Sequence, residues 1–291
     1  VASMLYTADL QMGAGSVLSG ITPSSTAVQV EGGTISGTVN VGTLVKTGSG
    51  VLSLAQGHQI SVGTLDMRGG ALSLDSAPTI TGTVLLHSGA TINFNGRNLT
   101  TALDVASGET AVISEATIGF LSTQTHLASG GTLDLTGVTT VNLQLPSANS
   151  GQAFGGTVVL KNTTIKNGTG ANNMTYEFDH LHVDYGEAKL AQGGWNTLWN
   201  IHSLTGEGSF TWNSSSTHTA SNVLTLDGEG DFSGTIHFFR NHSGGGSGRR
   251  FQAFTVIAHD YAVQNAVVKM TGTDGDNYGA LAINTAEAHM K

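Results

Sequence analysis

The chain has 291 residues, of which 41 are Gly, 3 are Pro and none is Cys, and 11% are charged. That composition excludes a charge- and proline-rich disordered chain and a disulfide-stapled small domain, while the length suits one elongated all-β unit. Eleven basic against twenty acidic residues leave a net charge of −9, so neither nucleic acid nor an anionic membrane surface is an expected partner.

The opening stretch VASMLYTADLQMGAGSVLSG has no basic region followed by an apolar one and does not read as a signal peptide. A leader removed before Val1 fits a chain that opens without Met. No run of about 18 apolar residues occurs, so no transmembrane helix is predicted.

From residue 50 the chain repeats itself. GVLSLAQG begins at 50, GALSLDSA at 70, ATINFNGR at 90, TAVISEAT at 110 and GTLDLTGV at 131, a recurrence of about 20 residues. The apolar positions are Leu52 and Leu54, Leu72 and Leu74, Ile92 and Phe94, Val112 with a polar partner, then Leu133 and Leu135. Alternation at period two predicts strands with one buried face, and the Gly, Ser, Thr and Asn between them predict turns. A repeat of this size holding two or three short strands is a coil of an all-β parallel β-helix, in which neighbouring coils pair about 4.8 Å apart.

Less regular strands follow after about residue 146: GTVVLKNTTI at 156, TYEFDHLHVDYG at 175, WNTLWNIHSL at 195, GSFTWNSS at 208, NVLTLDG at 222 and SGTIHFF at 233. LTGEGSF at 204 and LDGEGDF at 226 are internal copies whose offset matches one coil. The solenoid is therefore predicted over 1–240 as roughly ten coils. NHSGGGSGRR at 241–250 is a predicted loop, and 251–291 a less regular C-terminal region whose strands cap the stack.

Residues 42–74, GTLVKTGSGVLSLAQGHQISVGTLDMRGGALSL, resemble the passenger-associated transport repeat of bacterial autotransporters, L-x-K-x-G-x-G-x-L-x-L with a G-G-x-L-x-L ending. Leu44, Lys46, Gly48, Gly50, Leu52 and Leu54 match the first part, and Gly69, Gly70, Leu72 and Leu74 the last. LDGEGDFSGTI at 226–236 is similar to a degenerate form of the repeat found in related passengers. The resemblance implies a right-handed parallel β-helix exported to the outer surface of a Gram-negative-type bacterium or secreted from it, and implies no particular activity. The family's C-terminal outer-membrane β-barrel has no counterpart here, so it further implies a passenger segment or a protein anchored in another way.

Candidate functional residues concentrate in the second half. Fifteen of eighteen aromatics lie beyond residue 150, among them Tyr185, Trp195, Trp199 and Trp212. Their flat rings suit extracellular glycans or mucin-like glycoproteins on an exposed surface, or else fill a wider core. In FDHLHVDYG at 178–186, strand parity sends Leu181, Val183 and Tyr185 one way and His180, His182 and Asp184 the other. His202 follows His180 by the same offset as the internal copies and is then expected on the neighbouring coil. These three histidines with Asp184 are the candidate divalent-metal ligands, the alternative being polar cover on a strand; no other cofactor is expected.

Glu207 and Glu229 align in the two internal copies and would stand within about 5 Å on adjacent coils. With Asp179 and Asp184 they are the acids a hydrolase or lyase acting on extracellular polysaccharide or glycoprotein would use, the alternative being solvated surface acids. TDGDNYG at 273–279 lacks the acidic residue at 285 that a calcium loop needs, and GSGRR is no phosphate loop. Arg240, Arg249 and Arg250 gather around the Gly-rich loop, suited to an acidic sugar or simply solvated. The expected function is thus a noncatalytic exported glycan binder, with an enzyme and a purely structural stalk as alternatives.

Overall fold

The computed structural model describes residues 9–12, 17–19, 27–36, 39–54, 60–74, 79–80, 82–93, 95, 102–121, 125–143, 151–167, 172–192, 195–214, 222–226, 230–240, 254–258, 265–272 and 280–282. Every regular element among them is a β-strand, and the strand pairings are parallel. This is the stacked-coil β-solenoid that the period-two repeats predict. The chain divides into two compact units, Val1–Val138 and Thr139–Lys291. No helix among the described residues is long and apolar enough to cross a membrane.

In the first unit the chain alternates between two parallel sheets. One takes Asp9–Met12, Ala27–Val30, Val39–Lys46, Ile60–Met67, Thr83–Leu86, Ala102–Val105 and His126–Leu127 in that order. The other takes Val17–Ser19, Gly33–Ser36, Val51–Leu54, Gly70–Leu74, Ala90–Asn93 and Thr110–Leu121. Val51 pairs with Ala71 and Ala90 with Ala111, so these coils keep the period of the sequence repeat. Leu52, Leu54, Leu72, Leu74, Ile92, Leu133 and Leu135 are buried, as the alternation predicts, whereas Phe94 lies outside the described residues. Val112 is a correction: Ala111 and Ile113 take the inward positions and Val112 is only half-buried.

Residues Lys46, Gly48, Gly69 and Gly70 close the coil. Lys46 is entirely buried, and its ammonium donates to the carbonyls of Thr47 at 2.6 Å, Gly48 at 3.1 Å and Gly69 at 3.1 Å. Three acceptors match the three N–H groups of an ammonium. Burial still lowers the Lys46 pKa, opposed by the charge of Glu31. Gly70 packs on the same knot at φ +67, where a Cβ would come within 2.5 Å of both the Gly48 and Gly50 oxygens. Only glycine fits there, so the Lys and Gly positions of the repeat have a structural cause.

Longer coils build the second unit on three parallel sheets. Its first sheet takes 151–154, 172–178, Trp195–Ile201, Asn222–Leu226, Phe254–Ala258 and Ala280–Ala282. Stretches 157–160 and 181–183 with Leu204–Gly206 form the second sheet, which reaches Phe232 through an isolated bridge. The third takes Thr163–Asn167, Glu187–Gln192, Ser209–Ser214, Thr235–Arg240 and Val267–Gly272. Coil length varies here: Glu187 pairs with Ser209, Thr235 with the more distant Val267, and Thr255 again with the nearer Ala280. The three C-terminal strands thus continue the sheets in parallel, while the Gly-rich stretch 241–250 lies outside the described residues.

Aromatic side chains fill this interior. Phe154 stacks on Phe178 at 5.0 Å between centroids, Tyr176 on Trp199 at 4.6 Å, and Trp212 meets Phe238 edge-on at 6.4 Å. All six rings are buried. Two polar groups that reach this interior are paired, Asn167 Nδ2 donating to Thr197 Oγ1 at 3.0 Å and the Tyr176 hydroxyl to the Leu143 carbonyl at 3.4 Å, whereas Trp199 Nε1 has no hydrogen-bond partner among the described residues. Such pairing offsets the desolvation of a buried amide or hydroxyl.

Candidate functional site

The strand Asn172–Val183 serves two sheets, and this decides how FDHLHVDYG presents its side chains. Tyr176 and Phe178 point inward on the first sheet, Asp179 and His180 turn the corner, and Leu181 and Val183 point inward on the second. His180 and His182 stand outward and half-buried, as parity predicts. Tyr185 departs from the expectation. The strand ends at Val183, the backbone turns through Gly186 at φ +80, and the Tyr185 ring emerges 50% exposed.

Thr157 and Thr205 are the residues that meet the histidines. His180 Nδ1 lies 3.1 Å from Thr157 Oγ1 one coil before, and His180 Nε2 lies 2.7 Å from Thr205 Oγ1 one coil after. The same Thr205 hydroxyl lies 2.8 Å from His182 Nδ1, so one oxygen joins both imidazoles. A hydroxyl can donate to one and accept from the other, which ties three coils together while at least one ring is neutral. Burial pushes the His180 pKa down, the neighbouring His182 adds to the shift, and Asp179 opposes it.

His202 does not join them. Its N–H donates to the Phe178 carbonyl and the Leu181 N–H donates to Ser203. The coil is thus one position longer here than the internal copies suggest, and Ser203, not His202, follows beside His180. Among the described residues no three His, Asp or Glu side chains form a metal-ligating group. Of the candidate set His180, His182, Asp184 and His202, the described contacts join His180 and His182 to Thr157 and Thr205 in a Thr–His–Thr–His hydrogen-bond network.

The neighbour of Glu207 on the next coil also differs from the internal copies. Gly206 bridges to Phe232 and accepts from the Ser233 N–H at 3.0 Å, so Ser233 rather than Glu229 follows Glu207 on the next coil. Glu229 itself lies outside the described residues. Asp179, Asp184 and Glu207 are exposed at corners of the coil. Asp184 Oδ2 lies 3.8 Å from Lys161 Nζ, and that ammonium sits 3.7 Å above the Tyr185 ring centroid.

Of the predicted aromatic contacts, Trp199 and Trp212 are corrected. Both are core side chains, 0% and 1% exposed, with no ring face to offer a ligand. Trp195 begins a strand of the first sheet, and its side chain lies outside the described residues. Tyr185 alone of the four is described as exposed.

A cluster on the first unit escaped sequence reasoning. Arg68 holds Asp66 Oδ2 through Nε at 2.8 Å and Nη2 at 2.7 Å, while Asp66 Oδ1 faces His87 Nε2 at 3.1 Å. His87 Nδ1 faces Glu109 Oε1 at 3.4 Å, and Glu109 Oε2 accepts the Ser88 N–H at 2.6 Å. The Ser88 backbone bond, then its side chain and His87, hold the Glu109 carboxyl below the usual carboxylate range. Asp66, His87 and Glu109 follow one another at intervals of one coil. That spacing was visible in the sequence; the cluster clasps three successive coils. Asp104 and His126 repeat the pairing at 2.9 Å.

Comparison with family models, with curated proteins and with solved structures matched nothing to this chain.

Proposed function

We propose that the chain is the exported β-helical passenger segment of an autotransporter-type protein, displayed outside a Gram-negative-type cell, which binds extracellular glycans or glycoproteins without catalysis. The observation that carries this reading is Tyr185, a half-exposed ring at a coil corner, with the Lys161 ammonium over one face and Asp184 beside it. An aromatic face flanked by a carboxylate and an ammonium offers a sugar ring apolar contact together with a hydrogen-bond acceptor and donors. Glycan-array and mucin binding by the full chain, weakened at least fivefold by Tyr185→Ala with an unchanged thermal midpoint, is the expected result. Silence of the wild-type chain across glycans and mucin-like proteins would sink the reading.

A purely structural stalk is the second reading, favoured by the transport-like repeat, whose Lys46, Gly48, Gly69 and Gly70 are engaged in closing coils. An enzyme has less support. Asp184 and Glu207 follow one another exposed at one coil corner and Asp179 stands exposed at another, while Glu229 lies outside the described residues.

A further inference from the structure

Charge is not spread evenly over the second unit. Of the four lysines described there, Lys166, Lys189 and Lys269 lie on strands of the third sheet, and Lys161 lies just before its strand Thr163–Asn167. Six acids are described in the same unit, Glu177, Asp179, Asp184, Glu187, Glu207 and Asp231, and Glu187 alone lies on that sheet. A chain of net charge −9 thus gathers positive charge on one face.

Strand parity turns these lysines outward. Ile165, Leu190, Phe210, Trp212, Ile236 and Phe238 point into the core, so the residues between them face the outer side, where Thr211 is itself buried beneath its neighbours. Register places Thr164, Lys189, Thr211, His237 and Lys269 in one column across five successive strands. The column beside it holds Lys166, Ala191, Asn213, Phe239 and Thr271. At about 4.8 Å between strands, Lys189 and Lys269 stand roughly 14 Å apart along a straight track.

Lys189 is held by Glu187 at 2.6 Å, and Thr211 donates to the other oxygen of that carboxylate at 3.2 Å. Lys166 and Lys269 are exposed and have no carboxylate within ion-pair distance among the described residues. Phe239, half-buried, lies tilted against His237 at 5.7 Å, which sets an aromatic face within the basic track.

We propose that this exterior is a docking track for a linear acidic polysaccharide, carboxylated or sulfated, running across the coils. The occupant follows from charge complementarity: a polymer carrying repeated anions meets Lys189 and Lys269 along one column and Lys166 in the column beside it, while Phe239 and His237 offer a flat surface to the sugar rings. Neutral glycans gain nothing from the lysines. Nucleic acid is disfavoured by the acidic remainder of the chain. The inference rests on the glycan-binding reading above and names the substrate class for a second face of the same unit.

The test uses the full chain with heparin as the sulfated probe, polygalacturonate as the uronate probe, dextran as the neutral contrast and double-stranded DNA as the competing polyanion. Binding to at least one acidic polysaccharide is expected, weakening steadily with added salt as counterion release demands. Lys166→Gln, Lys189→Gln and Lys269→Gln combined should reduce affinity tenfold or more. The corresponding triple Arg variant should retain binding within about threefold, and Arg68→Gln on the first unit should leave it unchanged. Equal thermal midpoints for the two triple variants exclude unfolding as the cause.

Wild-type failure on both acidic polymers, or undiminished binding by the Gln variant, overturns the proposal. So does DNA binding as tight as that of the polysaccharides. Neutral-glycan binding that persists in any of these outcomes would leave the broader reading standing while this track falls.

Discussion

The two units solve one problem, the filling of a stacked coil, with different side chains. In the first, short coils such as the one from Val51 to Ala71 enclose Leu, Ile, Val and Ala, and no aromatic is buried among the described residues. In the second, coils that range from Glu187–Ser209 to Thr235–Val267 enclose Phe154, Tyr176, Phe178, Trp199, Phe210, Trp212, Phe232 and Phe238. Interiors reach a packing density of about 0.75 whichever side chains fill them. Most of the described rings of the second unit are thus core filling, and ligand contact falls to the few left outside.

Removing an aromatic from that core tests the assignment most severely. Trp199→Ala should lower the unfolding free energy by about 3–5 kcal/mol, because the lost indole leaves a cavity that surrounding strands cannot close. Urea denaturation followed by far-UV circular dichroism measures it. A loss under about 1 kcal/mol would mean that the interior collapses freely around the lost ring.

Closure of the first unit's coil predicts a smaller effect. Lys46→Met keeps the buried stem but strips the carbonyls of Thr47, Gly48 and Gly69 of their shared donor. Orphaned acceptors cost about 1–3 kcal/mol where water cannot reach them, and these are only part-buried while the desolvated charge is also gone, so a net loss of about 1 kcal/mol is expected. Stability unchanged within about 0.5 kcal/mol would show that the carbonyls are satisfied without Lys46 and that the repeat's lysine has another cause.

Much of this architecture was legible because strand alternation and coil length are both written as spacing. The legible part ends where spacing becomes ambiguous. Ala111, Val112 and Ile113 form an apolar run that fits either phase of a strand, and a one-residue slip exchanges inward for outward. LTGEGSF and LDGEGDF look like stacked copies, yet Leu226 pairs with Ile201 rather than with Leu204. Corner residues absorbed the difference, moving His202 away from His180 and Ser233 into the place expected of Glu229. Conversely, Asp66, His87 and Glu109 obeyed the coil spacing and were passed over, since each stands in a different local sequence. A single tryptophan in a strand carries no mark that separates a core ring from a surface one.

Acidification should separate the two units in the mildest way. His180 has a folded pKa pushed below the ordinary imidazole value of about 6.5, so the unfolded chain binds the proton first. Its contribution to stability is present above that value and is lost as pH falls toward the folded one. Glu109 in the first unit has its folded pKa lowered from the carboxylate range near about 4.3, so its contribution persists to more acidic conditions and disappears only below it. The second unit should therefore weaken first. All three tryptophans, Trp195, Trp199 and Trp212, belong to it, which makes indole fluorescence its private reporter. The urea midpoint seen by fluorescence should decline between pH 7.5 and 5.5, and His180→Gln should flatten that decline. An equally steep decline in the variant would place the sensitive group elsewhere and leave the Thr157–His180–Thr205–His182 network as packing without a titrating role.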